Sequence, residues 1–92
     1  MSAPYQLLTT PTFERDFKRL GPEVQSRIKT KLNWLAHHPD TPLPLLRNMP
    51  DDLAGLRKYR VGDYRILLWV DHSNLVIKLY SVGHRSTAYR DL

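Results

Sequence analysis

Midway along this sequence the spacing of apolar residues changes, and that change decides what the chain can fold into. Before it, they recur every three or four residues: Phe13, Phe17 and Leu20 at i, i+4, i+7, then Val24, Ile28, Leu32 and Leu35 at i, i+4, i+8, i+11. A stripe of that period covers one side of an α-helix. After it, apolar residues alternate, as in Tyr59 and Val61 or Ile66, Leu68 and Val70, the period of a strand with one buried face. Helices followed by strands bury both apolar faces by stacking as layers, so the pattern predicts an α+β domain.

Turn and cap residues set the boundaries. Tyr5-Gln6-Leu7-Leu8-Thr9 reads as a short first strand, and Thr10-Pro11 as a helix N-cap followed by proline at the first helical position, where its missing N–H costs nothing. Gly21-Pro22 breaks that helix and opens the next, which must stop before Pro39 because a residue preceding proline disfavours the helical region. The two helices form an antiparallel hairpin. Residues 39–54 carry Pro39, Pro42, Pro44 and Pro50 and read as a stiff, irregular connection. Gly62-Asp63 separates the extended runs 56–61 and 64–70, a strong signal for a two-residue β-hairpin. Asp71-His72-Ser73-Asn74 turns the chain into a third run, 75–82. The expected order is β-α-α-β-β-β, an N-terminal strand and helical hairpin packed on an antiparallel sheet. With 92 residues this is one domain, 1–92.

Composition removes several chemistries. There is no cysteine, so disulfides, thiol catalysis and cysteine metal sites are excluded. No run approaches the roughly 18 apolar residues of a membrane span, and residues 1–12 lack the basic-then-apolar pattern of a secretory signal. A cytoplasmic protein without membrane association is expected. No metal or cofactor is expected either: the adjacent His37 and His38 lie on different helix faces, Asp51-Asp52 read as turn residues, and no glycine-rich phosphate loop is present.

Fourteen Lys and Arg against nine Asp and Glu leave a charge of +5, which favours a polyanionic partner. Alternation gives the cations an address. If Tyr59 and Val61 face the core, Lys58 and Arg60 face away, as does Arg65 across the hairpin. A two-residue loop pairs Arg60 with Arg65, placing like charges with Cβ atoms about 4.5–5.5 Å apart, an arrangement that destabilises a sheet. Such a cost points to a face kept for binding. Farther on, Val82-Gly83-His84-Arg85 ends the third run and Tyr89 follows. Arg85 can join the cationic surface, and Tyr89 can supply a ring on which a base stacks, the combination that single-stranded RNA requires. Arg15, Lys18, Arg19, Arg27 and Lys31 decorate the helices, either as a solvated face or as further contacts for a polyanion.

Residues 53–66, Leu-Ala-Gly-Leu-Arg-Lys-Tyr-Arg-Val-Gly-Asp-Tyr-Arg-Ile, resemble the central hairpin of the RelE/ParE superfamily of toxins. Residues 82–85 with Tyr89 resemble its closing segment, and the helical hairpin also fits, so the resemblance covers nearly the whole chain. It implies a fold similar to microbial ribonucleases and a toxin held inactive by a RelB-like antitoxin encoded beside it. The RelE branch cleaves mRNA in the ribosomal A site and so inhibits translation; the ParE branch poisons DNA gyrase and lacks the nuclease residues. By motif position Lys58 and Arg60 match the two basic strand residues of RelE-type nucleases. Arg65 matches the arginine of the Tyr-Arg strand, Arg85 the arginine after the glycine-plus-basic pair, and Tyr89 the C-terminal tyrosine. Two departures stand out: Arg60 occupies a position often held by lysine, and the interval from Arg85 to Tyr89 is shorter than in some relatives. The match favours a RelE-like mRNA endoribonuclease, with a gyrase inhibitor or a non-catalytic nucleic-acid-binding module as the alternatives, and on the RelE reading Arg15, Lys18, Arg19, Arg27 and Lys31 would be a footing on ribosomal RNA.

Metal-free RNA cleavage proceeds by attack of a deprotonated 2′-OH and leaves a 2′,3′-cyclic phosphate and a 5′-OH. The sheet face offers cations for this and no obvious carboxylate. Lysine ordinarily titrates at about 10.4 and is a poor base at neutral pH, but like-charged neighbours disfavour its protonated form. Lys58 is accordingly assigned as general base. Arg60, Arg65 and Arg85 would stabilise the transition state, Arg85 or His84 would protonate the leaving group, and Tyr89 would splay the scissile dinucleotide.

Overall fold

The computed structural model describes residues 3–88, and these form a strand, two helices and three further strands in the expected order. Strand β1 (Gln6–Thr9) leads into helix α1 (Pro11–Lys18), whose N-terminus is capped as the sequence indicates: the Thr10 hydroxyl accepts the Phe13 N–H at 3.1 Å, and Pro11 follows it. Helix α2 (Pro22–His37) also starts on proline and stops short of Pro39. Gln25 donates to the Phe17 carbonyl at 2.8 Å and Lys29 lies over the Phe17 ring, which holds the helices side by side. The remaining strands are β2 (Arg57–Val61), β3 (Tyr64–Asp71) and β4 (Val76–His84).

The sheet order is β1-β4-β3-β2. The three later strands form the expected antiparallel meander, but β1 pairs with β4 in parallel, Gln6 opposite Val76 and Thr9 opposite Leu79. The sheet is therefore mixed rather than antiparallel. Both helices and a hairpin intervene between β1 and β4, giving the long crossover that parallel pairing needs. Where β1 ends, α1 takes over the edge of β4: Thr10 donates from its N–H to the Leu79 carbonyl and from its hydroxyl to the Tyr80 carbonyl.

Helix α2 is fastened to the sheet at two points. The Tyr59 hydroxyl donates to the Lys31 carbonyl at 3.2 Å, and the Tyr5 N–H donates to the Ala36 carbonyl at 2.8 Å. Ile28, Leu32 and Leu35 pack there against Tyr59, Val61, Ile66, Leu68, Ile77, Leu79 and Val82. Alternation placed the expected strand residues correctly: Tyr59, Val61, Ile66 and Leu68 are buried in the core, and Val70, half-buried, packs against it.

Two features depart from simple alternation. Leu56 and Leu67 are fully buried yet stand outside that core, because the proline-rich connection folds against the outer face. Leu45 bridges Arg57, Lys58 donates to the Pro44 carbonyl, Leu46 donates to the Leu56 carbonyl, and Trp69 Nε1 donates to the Ala54 carbonyl. A register shift between Leu67 and Leu68 also makes Leu68 face Leu79 and Leu67 face Ser81. The extra residue in β4 turns Val82 and His84, rather than Ser81 and Gly83, to the helix side.

Candidate active site

The β2–β3 hairpin has the predicted register. Val61 pairs with Tyr64 and Arg60 with Arg65 across the two-residue Gly62-Asp63 loop. Gly62 has φ +58, the positive value that a first loop residue needs and glycine supplies without strain. Arg60 and Arg65 therefore stand opposite one another on the outer face, and Lys58, two residues along, shares that face. Lys58 is half-buried and lies opposite Leu67, so its stem rests beside a buried apolar side chain. Arg65 donates to the carbonyls of Gly62 and Tyr64 at 3.0 and 3.1 Å, which draws its guanidinium toward the hairpin tip.

Strand β4 brings the closing segment to the same tip. Gly83 pairs with Arg65, and the Arg85 N–H donates to the Asp63 carbonyl at 2.7 Å. After His84 the chain makes a tight turn in which Thr87 and Ala88 both donate to the His84 carbonyl. A Cβ on Gly83 would lie 3.3 Å from Ala88 Cα, tighter than an ordinary contact, so this turn packs directly on the backbone of residue 83. From the helix side, the Arg27 guanidinium approaches within 3.6 Å of where a Cβ on Gly62 would lie. Arg27, Arg60, Arg65 and Arg85 thus converge on the hairpin tip from two strands, the closing turn and α2.

One acid stands on this surface that the alternation pattern does not assign to it. Asp63 Oδ1 is 3.9 Å from Arg85 Nε, with both side chains well exposed. At that separation and exposure the pair contributes little stability, but it biases where the Arg85 side chain rests. In the sequence Asp63 is marked only as the second residue of the Gly-Asp loop, a position that turn formation alone explains.

His84 lies elsewhere than expected. It pairs with Tyr64, edge to face with ring centroids 5.6 Å apart, and so belongs to the helix side, opposite to Arg65. The bulge in β4 is the physical reason. The Ser86 N–H donates to His84 Nδ1 at 3.2 Å, which leaves the neutral ring's proton on Nε2. His84, Tyr64, Arg15 and Arg19 line a cavity of about 370 Å³ between α1 and the end of β4. Within it, Arg15 pairs with Asp16 at 3.3 Å, and Asp16 also accepts the Val82 N–H at 3.4 Å.

The remaining helix cations separate. Lys18 borders an apolar groove formed by α1, α2 and β1, whereas Lys31 is exposed on α2. Tyr89 lies outside the described residues. Among those residues no group of three or more His, Cys, Asp or Glu is placed to hold a metal ion, and no helix is long and apolar enough to cross a membrane. Asp51 and Asp52 sit in an exposed 3₁₀ turn, Asp51–Leu53.

Comparison with known proteins places these features in a lineage. Residues 7–89 match the family model of the ParE toxin of type II toxin–antitoxin systems, parDE. A curated relative, Toxin RelE of Mycobacterium tuberculosis, is 31% identical over 88 residues, covering 95% of this chain and 88% of the relative. The RelBE2 toxin–antitoxin complex of the same organism contains a chain that superposes with a TM-score of 0.78 at 28% identity, covering 94% of this chain and 97% of that one. The intact E. coli RelBE complex gives 0.71 at 26% identity, over 87% of this chain and 95% of its counterpart.

Proposed function

This chain belongs to the ParE toxin family of type II toxin–antitoxin systems, within the RelE/ParE superfamily, and on that premise we propose that it is the toxin of a RelBE-type pair and acts in the cytoplasm as a metal-independent endoribonuclease on mRNA in the ribosomal A site. A RelB-like antitoxin, of the kind seen with its structural neighbours, holds it inactive.

The observation that carries the nuclease reading is the opposed pair Arg60 and Arg65 with Lys58 on the same face. A protein gains nothing structurally from facing two arginines across a hairpin. A pentavalent phosphate between them gains a great deal, because fixed cations stabilise charge as it develops. In this mechanism Lys58 takes the proton of the attacking 2′-OH. Arg60 and Arg65 bind the nonbridging phosphate oxygens. Arg85 hydrogen-bonds the departing 5′-oxygen; arginine is too weak an acid to release its proton readily, so water delivers it. Tyr89 stacks on a neighbouring base. His84, on the far side of the sheet, serves the fold of the closing turn. Among the described residues no acid but Asp63 stands beside these cations, and the ribosome supplies the positioning by presenting mRNA to the site.

A gyrase inhibitor is the second reading, favoured by the ParE description of the matching family. Three activities of the purified protein separate the two: inhibition of translation, inhibition of gyrase supercoiling and antitoxin binding. The nuclease reading expects Lys58→Ala and Arg65→Ala to abolish translational inhibition, bind antitoxin as the parent does and leave supercoiling untouched. Supercoiling inhibited by the parent and by both variants alike would replace it with the gyrase reading.

A further inference from the structure

Helix α2 carries a second stripe that the core does not use. Trp34 precedes the buried Leu35 and is therefore turned about 100° from the core-facing line; it remains 46% exposed. Its indole is stacked on the His38 ring, with centroids 4.1 Å apart and planes 14° from parallel. His38 Nδ1 donates to the Trp34 carbonyl at 2.8 Å, which fixes the imidazole against the indole. Arg27, Lys31 and Trp34 fall at i, i+4, i+7, one line along the helix, His38 caps its end against Trp34, and all four are exposed. The single acidic residue of α2, Glu23, lies a turn beyond Arg27.

The stripe is continuous with the cationic hairpin tip, since Arg27 reaches Gly62. From Arg27 to Trp34 the helix rises about 11 Å. A track therefore leads from the hairpin tip at Gly62, past Arg27 and Lys31, to a pre-stacked aromatic pair. Cations tracking a backbone toward a ring that can accept a base are the elements of single-stranded nucleic-acid binding.

We propose that Arg27, Lys31, Trp34 and His38 form a second RNA-binding site, in which an unpaired base extends the His38–Trp34 stack and its flanking phosphates meet Lys31 and Arg27. The choice of RNA as ligand rests on the nuclease reading above. An unpaired ribonucleotide suits this surface because the rings are already parallel and the charge beside them is positive.

The test uses a single-stranded 2′-O-methyl oligoribonucleotide, which lacks the attacking hydroxyl and survives the toxin. Its binding is followed by anisotropy of a label and by quenching of Trp34 fluorescence in a Trp69→Phe background, where Trp34 is the sole indole of the two in the chain. The expected results are saturable quenching, a loss of affinity of about 5- to 100-fold in Trp34→Ala, and near-parental affinity in Trp34→Tyr. Lys31→Gln should reduce the slope of affinity against salt by about one. Unchanged affinity in Trp34→Ala would overturn the proposal, and loss of antitoxin binding in that variant alongside it would assign the stripe to the antitoxin. Quenching without mRNA cleavage on ribosomes would retain this site and remove the nuclease reading; cleavage without any Trp34 effect would do the reverse.

Discussion

Replacing Arg60 by glutamine should make this protein more stable and less active, for one electrostatic reason. Arg60 and Arg65 are directly opposed across the hairpin, and unit charges about 5 Å apart in water repel by roughly 0.8 kcal/mol. The long side chains can diverge, and Arg65 does so by donating to the Gly62 and Tyr64 carbonyls, so a net penalty of about 0.5 kcal/mol is reasonable for a cross-strand pair. Arg60→Gln removes one charge and leaves those two hydrogen bonds intact. The melting temperature should rise by about 2–4 °C at low ionic strength. In ~1 M salt, where the Debye length is about 3 Å, most of that gain should vanish. The assay is thermal unfolding by circular dichroism at both salt concentrations, paired with mRNA cleavage on translating ribosomes. A melting temperature that falls or stays put at low salt would refute the argument, as would full cleavage by the more stable variant.

Three further outcomes follow from the geometry. Leu67→Ala should cost about 2–5 kcal/mol in urea unfolding, as much as Ile66→Ala, because both side chains are fully buried although on opposite faces; a cost below about 1 kcal/mol would deny the outer face its own small core. Gly83→Ala presses a Cβ to 3.3 Å from Ala88 Cα and displaces the turn bearing Arg85, so cleavage should drop on the order of tenfold while stability changes by less than about 1 kcal/mol; equal losses in both would contradict this. Burial pushes the Tyr59 phenol above its ordinary value, so the folded state holds that proton more tightly than the unfolded chain. The stabilisation is complete below a pH of about 10 and is lost as pH rises beyond it, and Tyr59→Phe should flatten that alkaline decline in urea midpoints.

Local patterns made most of the architecture legible. Phe13, Ile28, Leu32 and Leu35 announced the helix faces, Thr10-Pro11 and Gly21-Pro22 the helix starts, and Gly62-Asp63 a hairpin whose register followed from loop length alone. That register by itself puts Arg60 opposite Arg65. The misses are nonlocal. A four-residue β1 does not encode which edge it joins, and its parallel pairing with β4 depends on where the chain returns after the helices. Burial of Leu67 depends on a proline-rich connection whose own residues show no periodicity. His84 lies off the cationic face because one extra residue in β4 reverses alternation beyond Leu79, and Gly83, the one residue type nearby that hints at a bend, does not fix where the bulge falls. The convergence of Arg27 on Gly62 joins a helix to a turn thirty-five positions away, which no short pattern expresses.

The most direct test of the account is 5′-end mapping of a defined mRNA incubated with the purified protein, with and without translating ribosomes, alongside Arg65→Ala. The account predicts cuts only in the presence of ribosomes, in register with the A-site codon, bearing 5′-hydroxyl ends and absent with the variant. Intact mRNA in both arms, or cuts that persist undiminished with Arg65→Ala, would contradict it.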